Sequence, residues 1–190
     1  MRAEAKAVVI GASAGAVEAL SALLPKLPER YSLPVMVVVH MPPDKDSIIA
    51  ELFQAKSKVI VKEAEDKEAV RAGTVYFAPP DYHLLVEEEK ILSLSNDELV
   101  HFSRPSIDVL FESAAYAYGA GLVGIVLTGA NSDGAAGLRA ISDNGGVVIV
   151  QDPDQAYSSP MPRAAIGLCP EAKIMTLEQI ADYLQIGTGV

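Results

Sequence analysis

Short β-branched runs alternate with helix-period segments along this chain, and that alternation constrains the fold more than any other feature. Ala7 to Ile10 precedes Val17 to Leu24, and Val35 to Val39 precedes Ser47 to Gln54. Leu122 to Leu127 precedes Ala135 to Asp143, and Val147 to Val150 follows. The strand segments are nearly continuous apolar runs, as expected of strands covered on both faces. The order predicts an α/β protein: an open, doubly wound, mostly parallel sheet with helices on both faces. Thr74 to Ala78 reads as a further strand. Tyr82 to Val86 and Ile91 to Leu94 read as an edge hairpin turning through Glu87, Glu88 and Glu89.

The length of 190 residues, half of them apolar, suits one domain over 1–190, and no repeat or low-complexity tract divides it. Cys169 is the only cysteine, so an internal disulfide and a cysteine-based metal cluster are both excluded. A reducing, cytoplasmic setting is expected. The apolar run after Lys6 faintly imitates a secretion signal, but Glu4 and the helical pattern after Gly15 argue against one. The uncharged span between Glu112 and Asp133 is interrupted by Gly119, Gly121, Gly124 and Gly129. It reads as a helix end, a turn and a buried strand, so no membrane insertion is expected. A net charge of −10 makes nucleic acid an unsuitable partner. The excess concentrates in residues 63–100, with 3 basic and 10 acidic groups, a run that reads first as a solvated face.

In a doubly wound sheet, ligands sit in the crevice at the carboxyl ends of the strands. Three strands end suggestively there. Val8-Val9-Ile10 runs into Gly-Ala-Ser13, Val35 to Val39 into His40, and Val123 to Leu127 into Thr-Gly-Ala-Asn-Ser-Asp133. Gly11-Ala-Ser13-Ala-Gly15 fits G-x-S-x-G between strand and helix, a turn that exposes a serine beside N–H groups able to bind an oxyanion. Ser13 could equally serve only as the N-cap of the helix that follows. A dinucleotide-binding turn fits less well, because Ser13 would replace its second glycine. A serine nucleophile needs a base, for which His40 is best placed, with His83 and His101 as competitors. Asp133 could orient the imidazole, cap the next helix, or do both. The chain order Ser, His, Asp differs from the order in the α/β-hydrolase elbow family.

These residues resemble the catalytic domain of the bacterial chemotaxis receptor methylesterases, the CheB family, over nearly the whole chain. Ile10-Gly-Ala-Ser13-Ala-Gly15 resembles that family's nucleophile turn, and Val-Val-His40-Met-Pro-Pro43 its histidine segment. Tyr76-Phe-Ala-Pro-Pro-Asp-Tyr-His83 and Arg104-Pro-Ser-Ile-Asp-Val-Leu-Phe111 are similar to two further signatures. Leu127 to Leu138 resembles the aspartate loop, and Gln151-Asp152 with Met161 to Ile166 the C-terminal segment. The resemblance implies hydrolysis of glutamate γ-methyl esters on the cytoplasmic signalling helices of chemoreceptors, with deamidation of particular glutamines. Ser13, His40 and Asp133 would be the catalytic triad. The backbone N–H groups of Ala14 and His40 would form the oxyanion hole, and Ala130, Asn131 and Arg163 would touch substrate. No cofactor or metal is implied.

The chain also departs from the family. Ser13-Ala14-Gly15-Ala16 stands where the family usually has Ser-Thr-Gly-Gly, and Ala130-Asn131 stands where it has Met-Gly. Typical members begin with a receiver domain that covers the active site, whereas the first catalytic strand here starts at Ala7. That predicts a stand-alone member, regulated by a separate receiver or other partner, or an excised domain. A hydrolase of another ester, or a non-catalytic binding module, would share the fold. Retention of all three triad residues favours an enzyme.

Overall fold

The computed structural model describes residues 4–40 and 48–186. Seven parallel strands form the main sheet: β1 (Ala7–Ala12), β2 (Val35–Val39), β3 (Ile60–Glu63), β4 (Thr74–Phe77), β7 (Leu122–Val126), β8 (Val147–Gln151) and β9 (Lys173–Met175). Their spatial order is β3-β4-β2-β1-β7-β8-β9. The chain winds outward from β1 through β2 on one side and through β7, β8 and β9 on the other. The winding direction therefore reverses between β1 and β7, which opens the crevice at the strand ends there.

Helices α1 (Ala16–Leu23), α2 (Ile49–Gln54) and α6 (Leu177–Ile186) cover one face, and α3 (Ile107–Tyr118), α4 (Ala135–Asp143) and α5 (Pro160–Leu168) the other. The strand sequences explain this double cover. Val8, Ile10 and Ala12 of β1 enter the core with Leu20, Leu23 and Leu184, while Ala7 and Val9 enter the core with Leu110, Phe111 and Leu138. Because side chains alternate between the faces, only an all-apolar strand fills both cores. Every residue of β1, β2 and β7 is buried.

The doubly wound parallel sheet is as the sequence predicted, and the uncharged span resolves into the end of α3, a glycine turn and β7. No helix among the described residues is long and apolar enough to cross a membrane. One expectation is corrected. The hairpin of β5 (His83–Val86) and β6 (Leu92–Ser95) forms, but as a separate two-stranded antiparallel sheet rather than at an edge of the main one. Leu84, Val86 and Leu92 bury themselves in the core around α3, so the hairpin's apolar face is covered by a helix instead of a strand. Of the helix expected over 47–54, α2 begins at Ile49, and Ser47 lies outside the described residues.

Candidate active site

Ser13 directly follows β1 and His40 directly follows β2. Ala12 pairs with Val39 in the parallel register, so the two residues leave neighbouring strands side by side. Adjacent strands lie about 4.8 Å apart, which brings a serine and an imidazole within one side chain's reach. Asp133 arrives from the loop after β7, across the switch point, and its carboxylate accepts a hydrogen bond from His40 Nε2 at 2.7 Å.

Asp133 is fully buried and satisfied by four donors. Oδ2 takes His40 Nε2 and the Ile107 N–H at 2.7 Å, and Oδ1 takes the Ser106 hydroxyl and the Asp108 N–H, both at 2.9 Å. Two of these N–H groups open α3, so the helix dipole also favours the charge. Burial pushes the Asp133 carboxyl up, but the His40 hydrogen bond and the Asp108 and Ile107 N–H groups outweigh it and hold the carboxyl below its usual range. An ionised carboxylate only accepts, so Nε2 carries the ring proton and Nδ1 keeps the lone pair. Asn131 fits that tautomer. Its Oδ1 accepts the Asp133 N–H at 3.1 Å, which turns its Nδ2 toward His40 Nδ1, 3.4 Å away.

The turn that carries Ser13 is clamped from the β7 side. The Ser13 N–H donates to the Thr128 carbonyl at 2.9 Å, and Thr128 Oγ1 donates to the Ala14 carbonyl at 2.8 Å. Gln151 Oε1 accepts the Thr128 N–H at 2.9 Å. Gly15, not Ser13, is the N-cap of α1, and it takes φ 84° with no side-chain capping bond. The cap role open to Ser13 in the sequence is therefore not what the turn uses. A Cβ on Gly15 would lie 2.7 Å from Tyr157 Cβ, so the glycine also lets residues 156–158 lie against the turn. Ser13 Oγ makes no hydrogen bond among the described residues; catalytic hydrogen bonds often form only in complexes.

One oxyanion candidate moves. The His40 N–H already donates to the Ala12 carbonyl at 3.1 Å, as parallel pairing of β1 and β2 requires, so it is not free for an oxyanion. The Ala14 and Gly15 N–H groups have no acceptor among the described residues.

The remaining candidates are dispersed. Ala130 is exposed beside Asn131, while Arg163 projects from α5 to pair with Asp154 at 3.1 Å and touches none of Ser13, His40 and Asp133. Asp154 helps line a cleft of about 210 Å³ beside Gly15, with Glu18, Thr128, Gln151 and Tyr157. His83 is buried, with Nε2 against the Glu98 carbonyl at 2.9 Å and Nδ1 accepting the Ser106 N–H at 3.1 Å, so it shapes the loop before α3. His101 pairs with Asp108 at 3.0 Å. Sequence reasoning missed Ser106, Asp108, Thr128 and Gln151. The first two lie in the Arg104-Pro-Ser-Ile-Asp108 signature, which was the available signal. His101, Asp108 and Asp133 bring ligand atoms within 4.8 Å of one another. Each Asp133 oxygen already takes two donors, so the cluster has no spare lone pair there for a cation.

A doubly wound α/β sheet with serine, imidazole and buried carboxylate at its switch point is the arrangement that serine hydrolases use. The chain belongs to the CheB methylesterase family, whose profile matches residues 8–184. A Leptospira interrogans protein with the provisional name protein-glutamate methylesterase/protein-glutamine glutaminase is 46% identical over 93% of this chain and 92% of its own length. An Archaeoglobus fulgidus protein-glutamate methylesterase/protein-glutamine glutaminase is 39% identical over 93% of this chain but 52% of its own length. The crystal structure of the Thermotoga maritima CheB methylesterase catalytic domain superimposes with a TM-score of 0.91 at 32% identity, over 97% of this chain and 99% of that one.

Proposed function

We propose that this protein hydrolyses glutamate γ-methyl esters on the cytoplasmic signalling helices of chemoreceptors through an acyl-enzyme on Ser13. The observation that carries the mechanism is the 2.7 Å bond from His40 Nε2 to the buried Asp133, which leaves Nδ1 as the base on the imidazole beside Ser13. Ser13 Oγ attacks the ester carbonyl while Nδ1 takes its proton. The tetrahedral oxyanion is received by the Ala14 and Gly15 N–H groups. The imidazolium, stabilised by Asp133, returns the proton to the departing methoxide as methanol leaves. Water, deprotonated by the same nitrogen, then releases the glutamate carboxylate and restores Ser13. With an amide in place of the ester, the same steps expel ammonia, in keeping with the double name of the relatives.

The test is Ser13→Ala. Methanol release from methylated receptor membranes and labelling by a fluorophosphonate should both vanish in a protein that still folds. Full esterase activity in Ser13→Ala would overturn the reading. Labelling of wild type without methanol release would move the substrate to another ester.

A further inference from the structure

A second buried carboxylate stands behind the triad. Asp108, in the first turn of α3, is 3% exposed, and its Oδ1 accepts the Gly134 N–H at 3.0 Å and the Gly137 N–H at 2.6 Å at the start of α4. Asp133, just before α4, accepts the first N–H groups of α3. Each carboxylate thus caps the helix associated with the other. Asp108 also grips Asp133 from two sides. Its own N–H binds Asp133 Oδ1, and its carboxylate holds the peptide N–H immediately after Asp133, where Gly134 takes φ 95°. The orientation of the Asp133 side chain is therefore fixed from both ends.

The other oxygen of Asp108 meets His101 Nε2 at 3.0 Å. His101 lies in a two-residue turn closed by mutual Val100 and Ser103 backbone bonds of 3.1 and 2.9 Å. Both turn residues are left-handed, with φ 50° at His101 and 60° at Phe102, a backbone that residues with a Cβ adopt at a cost. Phe102 is 98% exposed, so burial of its ring offsets nothing. The contact of His101 Nε2 with the Asp108 carboxylate is the visible compensation for the strained turn.

The charged groups facing Asp108 are Asp133 from the loop before α4, His101 from the turn, and Glu112 one turn along α3. Arg104 is directed elsewhere, to Asp81 and the Asn96 and Asp97 carbonyls. Burial first, and then the Asp133 charge, push the Asp108 carboxyl up, opposed by the Gly137 and Gly134 N–H groups and by His101.

We propose that Asp108, held by His101, is a positioning residue for the catalytic carboxylate. It fixes Asp133 against His40, and its negative charge adds to the field that favours a protonated His40 during acyl transfer. The inference rests on the reading of Ser13, His40 and Asp133 as the catalytic triad. Asp108→Asn keeps an acceptor for the Gly134 and Gly137 N–H groups, but removes the charge and so weakens the bonds that hold Asp133 in place. Two readouts are taken: the pH profile of fluorophosphonate labelling at Ser13, and the NMR titration of the His40 ring, which needs no activity. In Asp108→Asn the acid limb of labelling and the His40 NMR midpoint should both move to lower pH, because a negative charge that favours the imidazolium is gone; a shift of about one unit corresponds to about 1.4 kcal/mol. The plateau rate should fall roughly tenfold through looser alignment. A role confined to stability would lower the melting temperature and leave both pH midpoints in place, and that result overturns the proposal. His101→Ala, on the exposed turn, should lower the plateau severalfold in wild type and have no further effect in Asp108→Asn. Additive losses would show that His101 does not act through Asp108. If wild type is not labelled at all, the esterase reading fails, and the His40 titration still decides whether Asp108 is coupled to it.

Discussion

Replacing Asp133 by asparagine separates what this side chain does for the fold from what it does for the reaction. Four donors converge on the carboxylate. An amide presents one oxygen and one NH2, so its orientation decides the outcome. With the oxygen in the Oδ2 position it keeps the His40 and Ile107 bonds, the Ser106 hydroxyl rotates to accept from the amide, and only the buried Asp108 N–H is orphaned. The reverse orientation sets the NH2 against two donors at once, so the first is favoured. One orphaned buried N–H costs about 1–3 kcal/mol, and loss of a charge at the start of α3 about 1 kcal/mol more. A total of about 2–4 kcal/mol corresponds to a melting temperature about 5–15 °C lower for a chain of this size. Because that orientation keeps the Nε2–H tautomer, the kinetic loss comes from the missing charge. At about 4 Å and an effective dielectric of 20, this is worth about 4 kcal/mol, or roughly 10³ in rate. A flipped tautomer costs about 10⁴ in a serine protease. The sign of the pH dependence follows from the lowered Asp133 carboxyl. Its stabilisation is present above the ordinary carboxylate range and is lost as pH falls through the folded value, so the wild-type advantage over Asp133→Asn closes on acidification below about pH 4. The assays are calorimetry from pH 7 downward and the fluorophosphonate labelling rate. Labelling within tenfold of wild type, or an unchanged melting temperature at pH 7, would refute the four-donor account.

Gly15→Ala should destabilise by about 2–3 kcal/mol and slow labelling, since φ 84° and a Cβ 2.7 Å from Tyr157 Cβ both resist it; Tyr157→Gly in the same chain, which removes that Cβ, should recover the steric part of the loss in urea denaturation. Ala130→Met, at an exposed position beside Asn131, should shift relative kcat/KM between methyl and bulkier esters of one glutamyl peptide by about 10–200-fold, and identical ratios would remove position 130 from the substrate site.

The parts legible in the sequence are those that hydrophobic period writes into side chains. Strands β1, β2 and β7 must be apolar at every position because both faces are covered, and the polar residue that ends each run stands out against it. Ser13, His40 and the approach to Asp133 were visible for that reason. The three-residue β9 and four-residue β3 were not, because short edge strands carry little pattern: Ile60 and Ile174 are exposed although both lie in strands. Nor could side-chain identity reveal which backbone groups are free. The His40 N–H fails as an oxyanion donor through a register-dependent bond to Ala12, and the links of Asp133 to Ser106, Ile107 and Asp108 span 25 to 27 residues.

The departures from the family pattern fall where the backbone tolerates them. The turn that carries Ser13 keeps glycine at position 15, where φ is positive, and Ala16, which replaces the next glycine, is an ordinary buried residue of the first turn of α1. Ala14 lacks the usual hydroxyl, but the clamp on this turn is made by Thr128 Oγ1 to the Ala14 carbonyl, a bond that any residue at 14 can accept. Asn131, in place of glycine, does not adopt a positive φ, so the loop to Asp133 did not need glycine for its backbone. What changes there is chemical. The asparagine sets an amide donor 3.4 Å from the imidazole nitrogen that would receive the Ser13 proton, so the hydroxyl and Asn131 compete for one lone pair. A long amide contact is the weaker competitor once an ester brings Ser13 into line. On the mechanism proposed for Ser13, Asn131 would hold the imidazole in register between turnovers without blocking the proton transfer.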